Sequence, residues 1–215
     1  MTGSREILLD EIERDALAEL VNLGVSRAAA SLRVMIGHEV RLSVPGVAIV
    51  PCQRAAQMFG EQERSHMIGV SQDFDGDFAG RAMLIVPETK SLDLVRAITG
   101  GELPLEDIVA LEHEALAETG NIILNNCLAS IANVLLRTLG VSLPCIVRGN
   151  GQELLCQAAA PDAMVLVLYI NFTINQRDIT GYIAMLMDLP ALRVLKHLLH
   201  DLIMRTSEPA SHVTG

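Results

Sequence analysis

One pattern in this chain recurs at a fixed distance, and it constrains the fold more than any bulk property. Asp15-x3-Glu19-x2-Asn22 is followed after 22 residues by Pro45, and Glu114-x3-Glu118-x2-Asn121 is followed after the same interval by Pro144, so every position shifts by 99. With Glu, Asn and Pro each near a twentieth of average composition, a Glu-x2-Asn-x22-Pro match arises by chance at about one start in 10⁴. Two copies at one offset mark an internal duplication. The fold has to accommodate two like halves.

The order of elements repeats with the motif. Ile7 to Ile36 reads as a helix with a break near Gly24, and Glu39 to Pro51 as a strand opening on polar-apolar alternation. His66 to Val70 and Gly80 to Val86 read as two further strands about a turn at Asp75-Gly76, and Glu88 to Thr99 as a helix stopped by Gly100-Gly101. The second half runs as a helix from Leu105 to Leu139, a strand from Val141 to Arg148, strands from Ala163 to Asn175 and Thr180 to Leu189, and a helix from Ala191 to Met204. Pro87 and Pro190 each close a strand before a helix, but at a separation of 103, so the halves are expected to diverge by a four-residue insertion in a strand connection. The expected fold is α/β: one domain over 1–205, in two pseudo-symmetric helix-plus-three-strand halves of about 1–100 and 101–205, forming a sheet packed against helices. A short polar tail, 206–215, follows.

Composition removes several classes of function. A chain of 215 residues buries a core without disulfide or metal staples. Mean hydropathy is +0.37, yet the longest unbroken apolar run, Ala163 to Ile170, is far short of the roughly 20 residues that cross a bilayer. The opening MTGSREILLDEIERD is charged where a signal peptide needs an apolar stretch, so a cytoplasmic protein is expected. A net charge of −10 disfavours phosphate-backbone binding and hence nucleic acid. Aromatic residues are 3% with no Trp, which disfavours stacking platforms. Cys52, Cys127, Cys145 and Cys156 form no CxxC pair and are read as buried thiols.

At about 100° per residue, Asp15, Glu19 and Asn22 fall within an arc of roughly 60°, as do Glu114, Glu118 and Asn121. On the first helix Leu17 and Leu20 crowd the opposite side, so a solvated polar stripe is the plain alternative. The second helix is apolar nearly all round at Ile122, Ile123, Leu124, Cys127 and Leu128, which makes Glu118, Asn121 and Asn125 harder to read as filler. A catalytic role predicts exposed Asn22 and Asn121 side chains; a structural role predicts buried, hydrogen-bonded amides.

Other constellations carry less. His197 and His200 share a helix face without a third zinc ligand at suitable spacing. Asp73, Asp75 and Asp77 resemble a calcium loop, but Gly76 stands at position four rather than six and Leu84 occupies the place of the bidentate Glu, so a hairpin turn is expected. Asn125-Asn126-Cys127 sets a thiol in an uncharged helix interior that does not lower its pKa.

From Glu19 and Glu118 onward, both copies carry the signature of the CheC/CheX/FliY chemotaxis phosphatases: Asp or Ser, three residues, Glu, two residues, Asn, 22 residues, Pro. The chain resembles that family from Asp15 to about Met204, including the passage FDGDFAGRAMLIVPETKSLDLVRAITG. Two copies point to the CheC-like branch rather than the single-site CheX-like one, and the short tail leaves no room for the added domain of the FliY-like branch. The resemblance implies hydrolysis of the phosphoaspartate on a CheY-like response-regulator receiver. Asn22 and Asn121 would each orient the attacking water, Glu19 and Glu118 would dock on the receiver's lysine, and Asp15 and Glu114 would contribute to binding. No metal or cofactor of the chain's own is implied; the divalent metal, Mg, belongs to the receiver.

Two departures stand out: Glu114 where the family prefers Asp or Ser, and Leu-Gly-Val-Ser after Asn22 where it has a Gly-x-Gly turn. The competing class is a non-catalytic adaptor that grips a receiver or a CheD-like deamidase.

Overall fold

The computed structural model describes residues 9–62, 66–99, 104–156, 163–174 and 177–207. The first half comprises α1 (Glu11–Ile36), β1 (Val40–Pro51), α2 (Cys52–Gln62), β2 (Met67–Gly76), β3 (Gly80–Pro87) and α3 (Glu88–Ile98). The second comprises α4 (Leu105–Val134), β4 (Leu139–Val141), β5 (Cys145–Gly149), α5 (Gly151–Cys156), β6 (Met164–Ile174), β7 (Arg177–Met187) and α6 (Leu189–Ser207).

All strand pairs are antiparallel, in the order β1-β6-β7-β3-β2, with β4 and β5 both on the free side of β2. β4 and β5 together fill one strand position, along Phe74–Gly76 and Met67–Ser71 of β2. Exchanging the halves maps this order onto itself: β1 takes the place of β5, β6 that of β2, and β7 that of β3. The duplication is thus a two-fold relation within one sheet. The repeated proline has one job in both halves, since it cannot donate to a ladder. Pro45 lies at the register shift between Ser43 and Gly46 of β1, and Pro144 separates β4 from β5.

One face of the sheet carries the main core, with α1, α3, α4 and α6 laid over Ile68, Val70, Leu84, Leu168, Ile170 and Ile183. The other face carries a smaller core under α2 and α5, built on Phe59, Leu155, Val165, Val167 and Tyr182. α1 opens on a capping box in which Asp10 accepts from the Glu13 N–H and Glu13 accepts from the Asp10 N–H, and it ends at Gly37 with φ 71°. The expected break at Gly24 is absent. That glycine instead lets α1 touch α4, because a β-carbon on it would stand 2.7 Å from Cα of Cys127.

Other differences have local causes. β2 runs through Asp75-Gly76 because β4 pairs with Phe74, Asp75 and Gly76, so the chain reverses between β2 and β3 instead. α2 and α5 were not expected; both are short and lie after strand ends. α4 stops at Val134, where Leu136 takes a positive φ of 57°, rather than at Leu139. Ile7, Gly100, Gly101, Asn175 and the 206–215 tail beyond Ser207 lie outside the described residues.

The reading of four buried thiols is corrected. Cys52 and Cys156 form a disulfide between the halves, Cys145 is exposed, and Cys127 alone is a buried thiol. Spacing could not show this, since the pair is 104 residues apart and meets because symmetry sets α2 beside α5. There Gly151 lies so close to Ala56 that a β-carbon would stand 2.6 Å from its carbonyl oxygen.

Candidate functional site

α1 and α4 carry the two motif copies and cross antiparallel. Gly24 meets Asn126 and Cys127, while Met35 and Ile36, further along α1, share a groove with Glu114 and Glu118, earlier on α4. The two copies therefore face the surface at separate places along the helix pair. Asp15 and Glu19 are exposed on α1, with Asn22 half-buried one turn on; Glu114 and Glu118 are exposed on α4, with Asn121 half-buried. Each Glu and Asn pair holds the same helix face in the same order.

The carboxamides differ in what they touch. Among the described residues the Asn22 side chain makes no hydrogen bond; Ser26, one turn on, donates its hydroxyl to the Asn22 backbone carbonyl at 2.8 Å. The Asn121 Oδ1 accepts two, from Asn125 Nδ2 at 2.8 Å and from Gln72 Nε2 at 3.2 Å. Both side chains are half-buried, so neither is the fully exposed nor the fully buried amide expected; what differs is their hydrogen bonding, absent on Asn22 among the described residues and double on Asn121.

Gln72 is the residue that motif reasoning missed. It lies on β2, 1% exposed, and its Nε2 also donates to the Ser142 carbonyl at 2.9 Å, so both amide hydrogens are used. Its Oε1 is the only buried side-chain polar atom without a partner among the described residues. Reversing the amide would set Oε1 against the Ser142 carbonyl, acceptor to acceptor, which determines the orientation. A sequence signal did exist: Ile68, Val70, Gln72 and Phe74 form a period-two stripe facing the helices, and one amide interrupts it. β6 offers α1 no counterpart, since Leu166, Leu168, Ile170, Phe172 and Ile174 all enter the main core.

Gly120, between Glu118 and Asn121, sets α4 down on β2: a β-carbon there would stand 2.4 Å from Cβ of Val70. Its counterpart on α1 is Val21, fully buried. Beside the second copy opens a groove of about 280 Å³ in which Met35, Ile36, Ile98 and Leu111 stand beside the carboxylates of Glu114 and Glu118. Below it, Arg148 joins Glu88 at 2.7 Å and Glu112 at 2.6 Å, clamping α3, α4 and β5. Burial raises the Glu112 carboxyl, but the Ser91 hydroxyl and Arg148 outweigh that and hold it below the usual carboxylate range.

The lesser candidates have neighbours of their own. Asp73 pairs with Arg81 at 2.7 Å and Asp77 with Arg137 at 3.8 Å, while Asp75 lies in the β2–β4 ladder opposite Gly140. His197 stands 3.6 Å from Asp201, and no group of three or more His, Cys, Asp or Glu among the described residues could hold a metal ion. Burial pushes the Cys127 thiol up to about 12, far from a reactive thiolate. No helix among the described residues is long and apolar enough to cross a membrane.

No protein-family model matches the chain. Among curated proteins it is 22% identical over 138 residues to the flagellar motor switch phosphatase FliY of Bacillus subtilis, a match spanning 63% of this chain and 35% of that protein. It is 20% identical over 172 residues to the putative CheY-P phosphatase CheC1 of Halobacterium salinarum, spanning 80% of this chain and 87% of that one. Among solved structures, Thermotoga maritima FliY superposes with a TM-score of 0.71 at 19% identity, over 91% of this chain and 99% of that one. The FliM middle domain from H. pylori superposes with a TM-score of 0.60 at 7% identity, over 88% of this chain and 99% of that one. The fold is thus common to proteins named phosphatases and to FliM, so the function has to be argued from the site.

Proposed function

We propose that this chain, a member of the CheC/CheX/FliY family, is a phosphatase for the phosphoaspartate of a CheY-like response-regulator receiver. The observation that carries the reading is the Asn22 carboxamide: it stands on the face that presents exposed Glu19, and no group among the described residues occupies it. A buried structural amide holds a partner, whereas a half-buried one can face solvent. This one is left available.

The chemistry asks little of the protein. An acyl phosphate already reacts with water, and the receiver supplies the divalent metal as part of the substrate, so the remaining task is to hold a water in line with phosphorus. A carboxamide oxygen accepts a hydrogen bond from that water and fixes its position. Glu19, one turn earlier on a rigid helix, reaches a cationic side chain of the receiver and sets the depth of entry; Asp15 extends the acidic face. Glu118, Asn121 and Glu114 repeat this set on α4. Relatives named FliY and CheC1 are described as phosphatases, the second of CheY-P, which supports the same substrate class.

A second reading is an adaptor that binds a receiver, or a CheD-like deamidase, without hydrolysis. The bonded Asn121 amide favours it for the second copy, and the fold shared with FliM allows it for the whole chain. The test is the rate of phosphate loss from a phosphorylated CheY-like receiver with and without the protein. Acceleration at catalytic amounts supports the phosphatase; tight binding at an unchanged rate supports the adaptor.

A further inference from the structure

We infer that the two motif copies are unequal by construction: Gln72 and Asn125 hold the Asn121 carboxamide with its oxygen engaged, and hydrolysis runs mainly at Asn22. The inference rests on the phosphatase reading and adds Gln72 as a positioning residue that restrains the second copy.

A carboxamide oxygen has two lone pairs, and a water that is to be oriented by it needs one of them. In Asn121 both are taken, by Asn125 Nδ2 at 2.8 Å and Gln72 Nε2 at 3.2 Å. Gln72 is fixed in turn by the Ser142 carbonyl at 2.9 Å and by burial under α4. Asn121 can meet a water through its oxygen only after giving up one of these bonds.

The cause lies in three substitutions between the halves. Gly120 stands where α1 has Val21, and it lets α4 approach β2 until Val70 is in contact and Gln72 comes within reach of Asn121. Asn125 stands where α1 has Ser26, whose hydroxyl bonds the backbone and leaves the Asn22 amide alone. Gln72 stands on a strand whose symmetry mate, β6, faces the helices with the apolar side chains of Leu166, Leu168, Ile170, Phe172 and Ile174. All three differences act in one direction, toward a restrained Asn121 and an available Asn22.

One hydrogen bond exchanged against water is worth about threefold to tenfold in an equilibrium. The Asn22→Ala variant is therefore expected to lose at least about fivefold of the acceleration of receiver dephosphorylation, and Asn121→Ala about twofold. In the Asn22→Ala background, Gln72→Leu and Asn125→Ser are each expected to raise the residual acceleration by about threefold or more. Asn125→Ser copies the residue of α1 at a half-buried position and exchanges one small polar side chain for another, so it decides the matter if Gln72→Leu does not fold. An Asn121→Ala loss equal to or larger than that of Asn22→Ala, or no rise in either rescue variant, overturns the inference while leaving the phosphatase intact. Absence of acceleration by the wild type overturns both. A readout independent of activity is the side-chain amide NMR of Gln72: both hydrogens are expected to exchange slowly, and the resonance to move in Asn121→Ala. An unmoved resonance overturns the inference whatever the rates.

Discussion

Cα of Cys127 lies 2.7 Å from where a β-carbon of Gly24 would stand, so the two motif helices meet backbone to backbone at that point. Gly24→Ala raises helix propensity by about 1 kcal/mol, but forcing a methyl against a neighbouring backbone costs about 1–3 kcal/mol. Net destabilisation is expected on denaturant titration, with a lower midpoint and an unchanged slope. The same substitution at Gly37, where a β-carbon meets nothing within 4 Å, is opposed only by its left-handed φ of 71° and separates crowding from backbone strain.

The clamp on Glu112 predicts a pH dependence. Its carboxyl is held below its ordinary value, 4.5, because the Ser91 and Arg148 contacts outweigh burial. A carboxyl depressed in the folded state stabilises above its unfolded pKa, and that stability is lost as pH falls through the folded value. Glu112→Gln is expected to cost about 1–2 kcal/mol at pH 7, discounted for the exposure of Arg148. The gap between wild type and variant should close as pH falls below about 4.5, which unfolding curves at successive pH values will show.

The cysteines predict a labelling pattern. In the native protein a thiol reagent should modify Cys145 readily and Cys127 only on unfolding, since burial excludes the reagent and pushes that thiol up to about 12. The pair Cys52 and Cys156 should become reactive only after reduction. Because that bond closes a loop of about a hundred residues, Cys52→Ser is expected to cost roughly 2–4 kcal/mol of stability under oxidising conditions.

Those predictions rest on features of unequal legibility. The offset between Asn22 and Asn121, with the matching prolines, was enough to anticipate two like halves, the long motif helices and most strands, because each rests on local pattern. The turn at Asp75-Gly76 misled for a non-local reason: β4, 63 or more residues on, pairs across it and prolongs β2. The Cys52–Cys156 bond and the α2 and α5 packing arise from the symmetry of the fold and leave no mark on spacing. At the site, the faces of Glu19, Asn22, Glu118 and Asn121 follow from helical periodicity alone. What separates the two copies, the reach of Gln72 across 49 residues to Asn121, depends on how closely Gly120 lets α4 approach the sheet. Gln72 went unread because the expected strand, His66 to Val70, stopped short of it, and the apolar stripe that it interrupts does not name its partner.

Glu19 predicts a split between binding and rate. Glu19→Ala removes an exposed carboxylate that reaches for a cation, so receiver affinity should fall by about threefold to tenfold at low salt, and the gap to wild type should narrow as salt screens that contact. Asn22→Ala should leave affinity near wild type and lower the turnover at saturating receiver. Titration of the receiver against each variant, read as separate half-saturation and maximal rate, checks the assignment.

The most direct measurement is phosphate loss from a phosphorylated CheY-like receiver in the presence of wild type and of the double variant Asn22→Ala/Asn121→Ala, with receiver binding assayed in parallel. The wild type is expected to accelerate the loss, and the double variant to bind while the rate returns to the receiver's own. A double variant as fast as the wild type, or a wild type that binds and does not accelerate, would contradict a water-orienting role for the two asparagines.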